Sequence, residues 1–203
     1  MPLYYSHNGP DYRLAIWRIA EDAEFFNQQF LSAEITNESK QLQWLATRHL
    51  VNELAGRNCE VLKDEFGKPY IKDSSQRISI THTALFAGVI LSDKQDVGID
   101  LEMITPKVER IAHKFLYEEE LQDIQPNEKI EKLILYWSAK EALYKLHGRR
   151  QLEFKSQLLI QPFELQLKGV LSAAIKASDM NVQDLPLHYE FFEDHVLTYV
   201  SLL

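Results

Sequence analysis

Two stretches of helical apolar spacing, each stopped by a glycine, do most to limit what this chain can fold into. In residues 37–54, apolar side chains recur at Leu42, Leu45, Ala46, Leu50 and Leu54, and Gly56 follows. In residues 127–148 they recur at Ile130, Leu133, Ile134, Trp137, Leu143 and Leu146, with Gly148 where a left-handed C-terminal cap belongs. Short β-prone runs surround both. LAIWRIA (14–20), RISITHT (77–83), FAGVILS (86–92) and VGIDLE (97–102) accompany the first; LLIQPFELQL, GVLSAAI, LHYEFFE and HVLTYVSLL follow the second. Each half therefore reads as one long helix plus several strands, an α+β organisation. RISITHT and FAGVILS are close enough to pair as a hairpin, and VGIDLE makes a third strand in succession. RIAHKFLYEEELQDI (110–124) reads as a polar helix broken near Leu116, and DEFGKPY (64–70) as a turn. The halves divide as residues 1–103 and 104–203, with no residue-level repeat between them.

Charge narrows the partners. The chain has 203 residues and a formal net charge of −8, which disfavours non-specific nucleic-acid binding through Lys and Arg. The single cysteine, Cys59, can form no intrachain disulfide and is expected to be a buried structural thiol. MPLYYSHNGPDYR lacks the positive start and apolar run of a signal peptide, and no stretch approaches a membrane span. The expected setting is the cytoplasm, with no membrane partner.

Four segments can carry chemistry, and each has a plain structural alternative. In VGIDLE, strand alternation sends Val97, Ile99 and Leu101 one way and Asp100 and Glu102 the other. That describes either a half-buried strand with its polar face outward or a site for a hard cation. Gly98 on the acidic face leaves room for a ligand or another backbone. In WSAKEALYK (137–145), Glu141 and Lys145 share a helix face. They form either a surface salt bridge or a metal carboxylate and a phosphate cation, with Trp137 and Leu143 anchoring the helix in the core. In ISITHT (78–83), His82 is in phase with Ile78 and Ile80. It is then a buried histidine, unless the strand ends there and Thr81 and His82 line a site. EFGKPYI (65–71) is either an ordinary surface turn or a projection of Lys68 towards an anion.

The order FGKPYI, ISITHT, VGIDLE, WSAKEALYK resembles the 4′-phosphopantetheinyl transferase superfamily. The match is closest to its long monomeric, surfactin-synthetase-activating type, and runs from about Leu42 to Leu165. QWLATRHLVNELAG, KFLYEEE and PFEL add to it. The resemblance implies two similar, pseudo-twofold α+β halves, each a small, largely antiparallel sheet packed on a long helix. It implies an active site in the cleft between them. It also implies transfer of the phosphopantetheine arm from coenzyme A to a serine of an apo carrier protein of acyl, peptidyl or polyketide type. The products would be holo carrier protein and 3′,5′-ADP.

Site roles follow from the same resemblance. Asp100, Glu102 and Glu141 would bind Mg²⁺, with Mn²⁺ the alternative ion. Lys145 would contact the pyrophosphate, His82 a coenzyme A phosphate, Lys68 the adenine nucleotide and Arg48 the 3′-phosphate. Thr81 stands where the family usually has serine, and Thr83 likewise. Glu141, Asp100, Lys145 and His82 form the catalytic group, with Glu141 or a metal-bound water as the base for the serine proton. Two rivals keep the same residues: a metal-dependent nucleotide phosphohydrolase, and a family member that binds coenzyme A without turnover. Carrier proteins are acidic, so the run Lys107, Arg110, His113 and Lys114 is either a docking patch or a solvated helix face.

Overall fold

The computed structural model describes residues 3–27, 35–149 and 151–202. It divides into two compact units, Met1–Val97 and Gly98–Leu203.

The first unit is a six-stranded sheet with one long helix. Strands β1 (Leu3–Asn8) and β2 (Tyr12–Arg18) form a hairpin, followed by the short helix α1 (Ala23–Asn27) and the long helix α2 (Glu38–Ala55). Strands β3 (Val61–Lys63), β4 (Pro69–Ile71), β5 (Arg77–His82) and β6 (Phe86–Ser92) complete the sheet in the order β1-β2-β6-β5-β4-β3. The expected β5–β6 hairpin forms, with Thr81 opposite Gly88. Helix α2 begins where the Asn37 side chain accepts from the Lys40 N–H and ends at Gly56, whose φ of 68° needs no Cβ. Its apolar stripe, Leu45, Ala46, Leu50 and Val51, packs with Trp17, Ile78, Val89 and Leu91 of the sheet. Each buried Leu, Ile or Val of this set stabilises by about 1.5–3 kcal/mol relative to leaving it in water. Cys59 is only half-buried, contrary to expectation; it lies in the loop after α2, its thiol 3.5 Å from the Arg57 carbonyl.

The second unit begins with VGIDLE itself, strand β7 (Val97–Met103). Helices α3 (Ala112–Phe115) and α4 (Glu118–Gln122) replace a single helix, broken at Leu116, whose backbone is extended. The long helix α5 (Lys129–His147) ends at Gly148 with φ 73° and its N–H on the Tyr144 carbonyl. Then come α6 (Phe154–Gln157), β8 (Leu158–Ile160), β9 (Lys168–Lys176), β10 (Asn181–Phe192) and β11 (His195–Ser201). The sheet order is β7-β11-β10-β9-β8. β7 therefore leaves the β5–β6 hairpin and lies beside the last strand, as the sequence order does not suggest. The boundary expected after residue 103 falls at the far end of this strand, and compactness divides the chain before Gly98. LLIQPFELQL is strand only over Leu158–Ile160. Pro162 has no N–H for a ladder, and the Phe163 N–H turns to Asp123 Oδ2 instead, 3.3 Å away. Buried side chains of α5, including Leu133, Tyr136, Leu143 and Leu146, pack with Leu171, Ile175, Leu187 and Val200 of the sheet. Inside this core Ser138 and Thr198 share a buried hydroxyl contact of 2.9 Å.

Candidate active site

In the second unit, one face of α5 meets β7 at very short range. A Cβ built on Gly98 would lie 2.0 Å from the Ala142 carbonyl oxygen and 2.9 Å from the Leu146 nitrogen. The space left by this glycine is filled by helix backbone, not by a ligand. β7 is buried on both faces as a result: Val97, Ile99 and Leu101 are buried, and so is Asp100 at 4% exposure. The reading with polar residues turned outward to water does not hold at Asp100.

Trp137, Glu141 and Lys145 recur every four residues along α5, so they share the face turned to the strand. Of the two readings of Lys145, the surface pair with Glu141 does not form. Its ammonium lies 2.7 Å from Asp100 Oδ1 and donates to the Ile99 carbonyl at 3.1 Å. Trp137 packs half-buried against the edge of the core, and its indole N–H donates to Glu102 Oε1 at 2.9 Å. Leu143 does sit in the core. Burial, then the Asp100 charge, pushes the Glu141 carboxyl up to about 7, with Glu102 adding to this and Lys145 opposing it. Burial and Asp100 also raise Glu102, while the Trp137 hydrogen bond and Lys145 hold it down. Glu102 and Glu141 thus resist ionisation beside the Asp100 charge.

That donor set suits a hard divalent cation. All three groups offer oxygen, and their mutual repulsion is what such an ion relieves. Among the described residues no three His, Cys, Asp or Glu side chains form a ready-made metal cluster, and Asp100 is held by Lys145.

The other expected residues lie in the first unit. Thr81 is buried, and His82, the last residue of β5, is exposed where the strand ends. His82 is therefore not a core histidine. Thr83 caps the following turn, its hydroxyl accepting from the Phe86 N–H at 3.1 Å. Lys68 follows a turn fastened by Asp64, whose Oδ1 accepts from the Phe66 and Lys68 N–H groups at 2.9 and 2.8 Å. The Lys68 ammonium pairs with Asp96 at 3.2 Å. Arg48 is half-buried, lies 4.7 Å from the Trp44 ring centroid and donates to the Thr47 hydroxyl at 3.1 Å. Burial lowers its guanidinium below the ordinary value.

The profile of the 4′-phosphopantetheinyl transferase superfamily matches residues 96–200, just over half of the chain. The chain belongs to this superfamily. It is 26% identical over 112 residues to the 4′-phosphopantetheinyl transferase AcpT of Escherichia coli O157:H7, covering 52% of this chain and 57% of that one. It is 34% identical over 109 residues to the transferase psf-1 of Bacillus pumilus, covering 50% and 46%. It is 28% identical over 149 residues to the transferase gsp of Aneurinibacillus migulanus, covering 63% and 61%. The chain thus spans roughly half to three fifths of the length of these curated relatives. The superfamily match takes in β7 and α5 entirely, and with them Gly98, Asp100, Glu102, Glu141 and Lys145.

Sequence reasoning missed Lys140 and Glu120. Lys140 is fully buried, with its ammonium 2.6 Å from Glu120 Oε2. The signal was a lysine inside the apolar stripe of α5, seven residues after Leu133 and three before Leu143.

Proposed function

We propose that this superfamily member transfers the 4′-phosphopantetheine arm of coenzyme A to a serine hydroxyl of an apo carrier protein, using Mg²⁺. The observation that carries the reading is the β7–α5 face, where Lys145 pairs with Asp100 at 2.7 Å and the Asp100 charge raises the proton affinity of Glu102 and Glu141. Interacting carboxyl groups beside one cation suit an anionic substrate that arrives with a metal. Asp100, Glu102 and Glu141 would hold the ion, which when bound neutralises pyrophosphate charge and so lowers the barrier to attack at phosphorus.

This chain's residues supply the rest. Lys145 turns from Asp100 to the pyrophosphate and adds a fixed positive charge there. Glu141 accepts the serine proton directly or through water. The serine Oγ–P bond forms as the P–O bond to the nucleotide breaks, so 3′,5′-ADP leaves. Arg48 binds the 3′-phosphate, Thr81 and His82 a coenzyme A phosphate, and Lys68 the adenine nucleotide. The desolvated guanidinium of Arg48 supports its part, since among the described residues no carboxylate pairs with it.

Lys107, Arg110, His113 and Lys114 are exposed on the segment after β7, with exposed Met103 and Tyr117 beside them in sequence. On a chain of net charge −8, this patch is the docking surface for an acidic carrier protein. Among the described residues no helix is long and apolar enough to cross a membrane. The proposal places the protein in the cytoplasm as a monomer.

Intact-protein mass spectrometry of an apo acyl carrier protein, incubated with this chain and coenzyme A, tests the reading. A gain of one phosphopantetheine arm with Mg²⁺ and not with EDTA supports it. Release of nucleotide without an acceptor points to a phosphohydrolase. Coenzyme A binding without any product points to a binding module.

A further inference from the structure

The ammonium of Lys140 spends its three hydrogens on three separate pieces of the second unit. It donates to Glu120 Oε2 at 2.6 Å, to the Phe115 carbonyl at 2.7 Å and to the Phe154 carbonyl at 3.1 Å. Glu120 is as fully engaged: Oε2 also accepts from the Tyr117 N–H at 2.8 Å and Oε1 from the Ile160 N–H at 2.9 Å. Lys140 therefore fixes the backbones of Phe115 and Phe154 against the middle of α5.

Those two residues flank one side chain. The Phe115 ring lies 5.2 Å from Trp137, tilted by 60°, and the Phe154 ring stacks on it at 5.5 Å with an interplanar angle of 23°. The clamped indole is the one whose N–H holds Glu102 Oε1. An indole between two rings has little freedom, so its N–H direction is set by where those rings are held. The same ammonium sits on the residue before Glu141, which fixes the turn of α5 that presents that carboxylate.

We infer that Lys140, paired with Glu120, is a positioning residue for the metal-binding carboxylates, acting on Glu102 through the Phe115–Trp137–Phe154 clamp. The inference rests on the metal role proposed above. A buried ion pair is poor evidence for stability, because well-packed apolar residues of similar volume often do as well. Its use here is geometric: one cation, unlike an apolar side chain, can tie two carbonyls and a carboxylate at fixed distances.

The test is binding rather than turnover. Mn²⁺ is titrated into the 203-residue chain with and without coenzyme A, and free Mn²⁺ is followed by electron paramagnetic resonance. Lys140→Met with Glu120→Gln, which removes the charge pair together, is expected to weaken Mn²⁺ binding about 10–100-fold, as loss of an outer-shell partner does. Trp137→Phe, which keeps a ring and removes the N–H, is expected to weaken it similarly. All three changes combined should be no worse than the poorer of the two, because they break one relay. Wild-type affinity in the folded Lys140→Met/Glu120→Gln chain, or losses that multiply on combination, overturns the inference. If that variant does not fold by circular dichroism, Phe154→Leu opens the clamp with the ion pair intact. Weakened Mn²⁺ binding there supports the relay, and unchanged binding overturns it. Failure of the wild-type chain to bind Mn²⁺ under either condition removes the metal role itself.

Discussion

The ammonium of Lys145 lies 2.7 Å from Asp100 Oδ1, joining the end of α5 to the middle of β7 across 45 residues of sequence. It occupies the carboxylate proposed to receive a metal. In the free protein this cation helps to make burial of Asp100 tolerable. Lys145→Met should therefore destabilise the metal-free chain by roughly 1–3 kcal/mol, the cost of taking a charged hydrogen-bond donor from a buried carboxylate. Mg²⁺ should recover part of that loss. Urea denaturation with Mg²⁺ and with EDTA checks both, and an unchanged midpoint in EDTA would contradict the pairing.

Glu141 gives a pH dependence with a definite sign. Its carboxyl is raised from 4.5 to about 7 in the folded chain. The folded state therefore binds this proton more tightly than the unfolded state does. That contribution to stability is complete below about pH 4.5 and is lost as pH rises through about 7. Glu141→Gln removes the penalty, so at pH 8 the metal-free variant should be more stable than wild type, by up to about 3 kcal/mol. Thermal melts across pH 5–8, roughly the range where such a carboxyl titrates, measure it.

Metal binding should carry the same signature. Since Glu141 is raised to about 7, Mg²⁺ binding at pH 6 should release a proton. Apparent affinity should climb with pH and level off above the Glu141 value. Calorimetry in two buffers of different ionisation enthalpy counts the proton; no release at pH 6 would exclude Glu141 as a ligand.

Gly98 sets the distance between strand and helix. Gly98→Ala puts a methyl 2.0 Å from the Ala142 carbonyl oxygen, a contact with backbone that no rotamer relieves. Overpacking of this kind costs about 1–3 kcal/mol. The helix must shift, and with it Glu141 and Lys145 relative to Asp100. Transfer activity should fall by more than the loss of folded protein explains, which the folded fraction and the turnover rate together establish.

Reversing Lys107 and Lys114 to Glu should raise the KM for carrier protein about tenfold or more and leave the KM for coenzyme A alone. The wild-type KM for carrier protein should rise with salt, and the variant's should not. Unchanged kinetics would leave these lysines as an ordinary solvated surface.

The sequence by itself marked the two long helices and most of the longer strands, and it set out the residue types on which the proposed chemistry draws. Asn37, Gly56 and Gly148 bound the two long helices through local backbone preference, and period-two alternation marked the strands. The residues of β7 and α5 that now face each other stood out as two separate motifs. Only the tertiary structure decided what those motifs touch. Alternation could place Asp100 and Glu102 on one face of VGIDLE, but not that α5 would bury Asp100, because burial depends on a helix some 40 residues later. The i,i+4 rule pairs Glu141 with Lys145 on an isolated helix; packing on Gly98 offered Lys145 a closer carboxylate instead. Likewise β7 left the hairpin before it for β11, since strand pairing is settled by non-local contacts that no local pattern records.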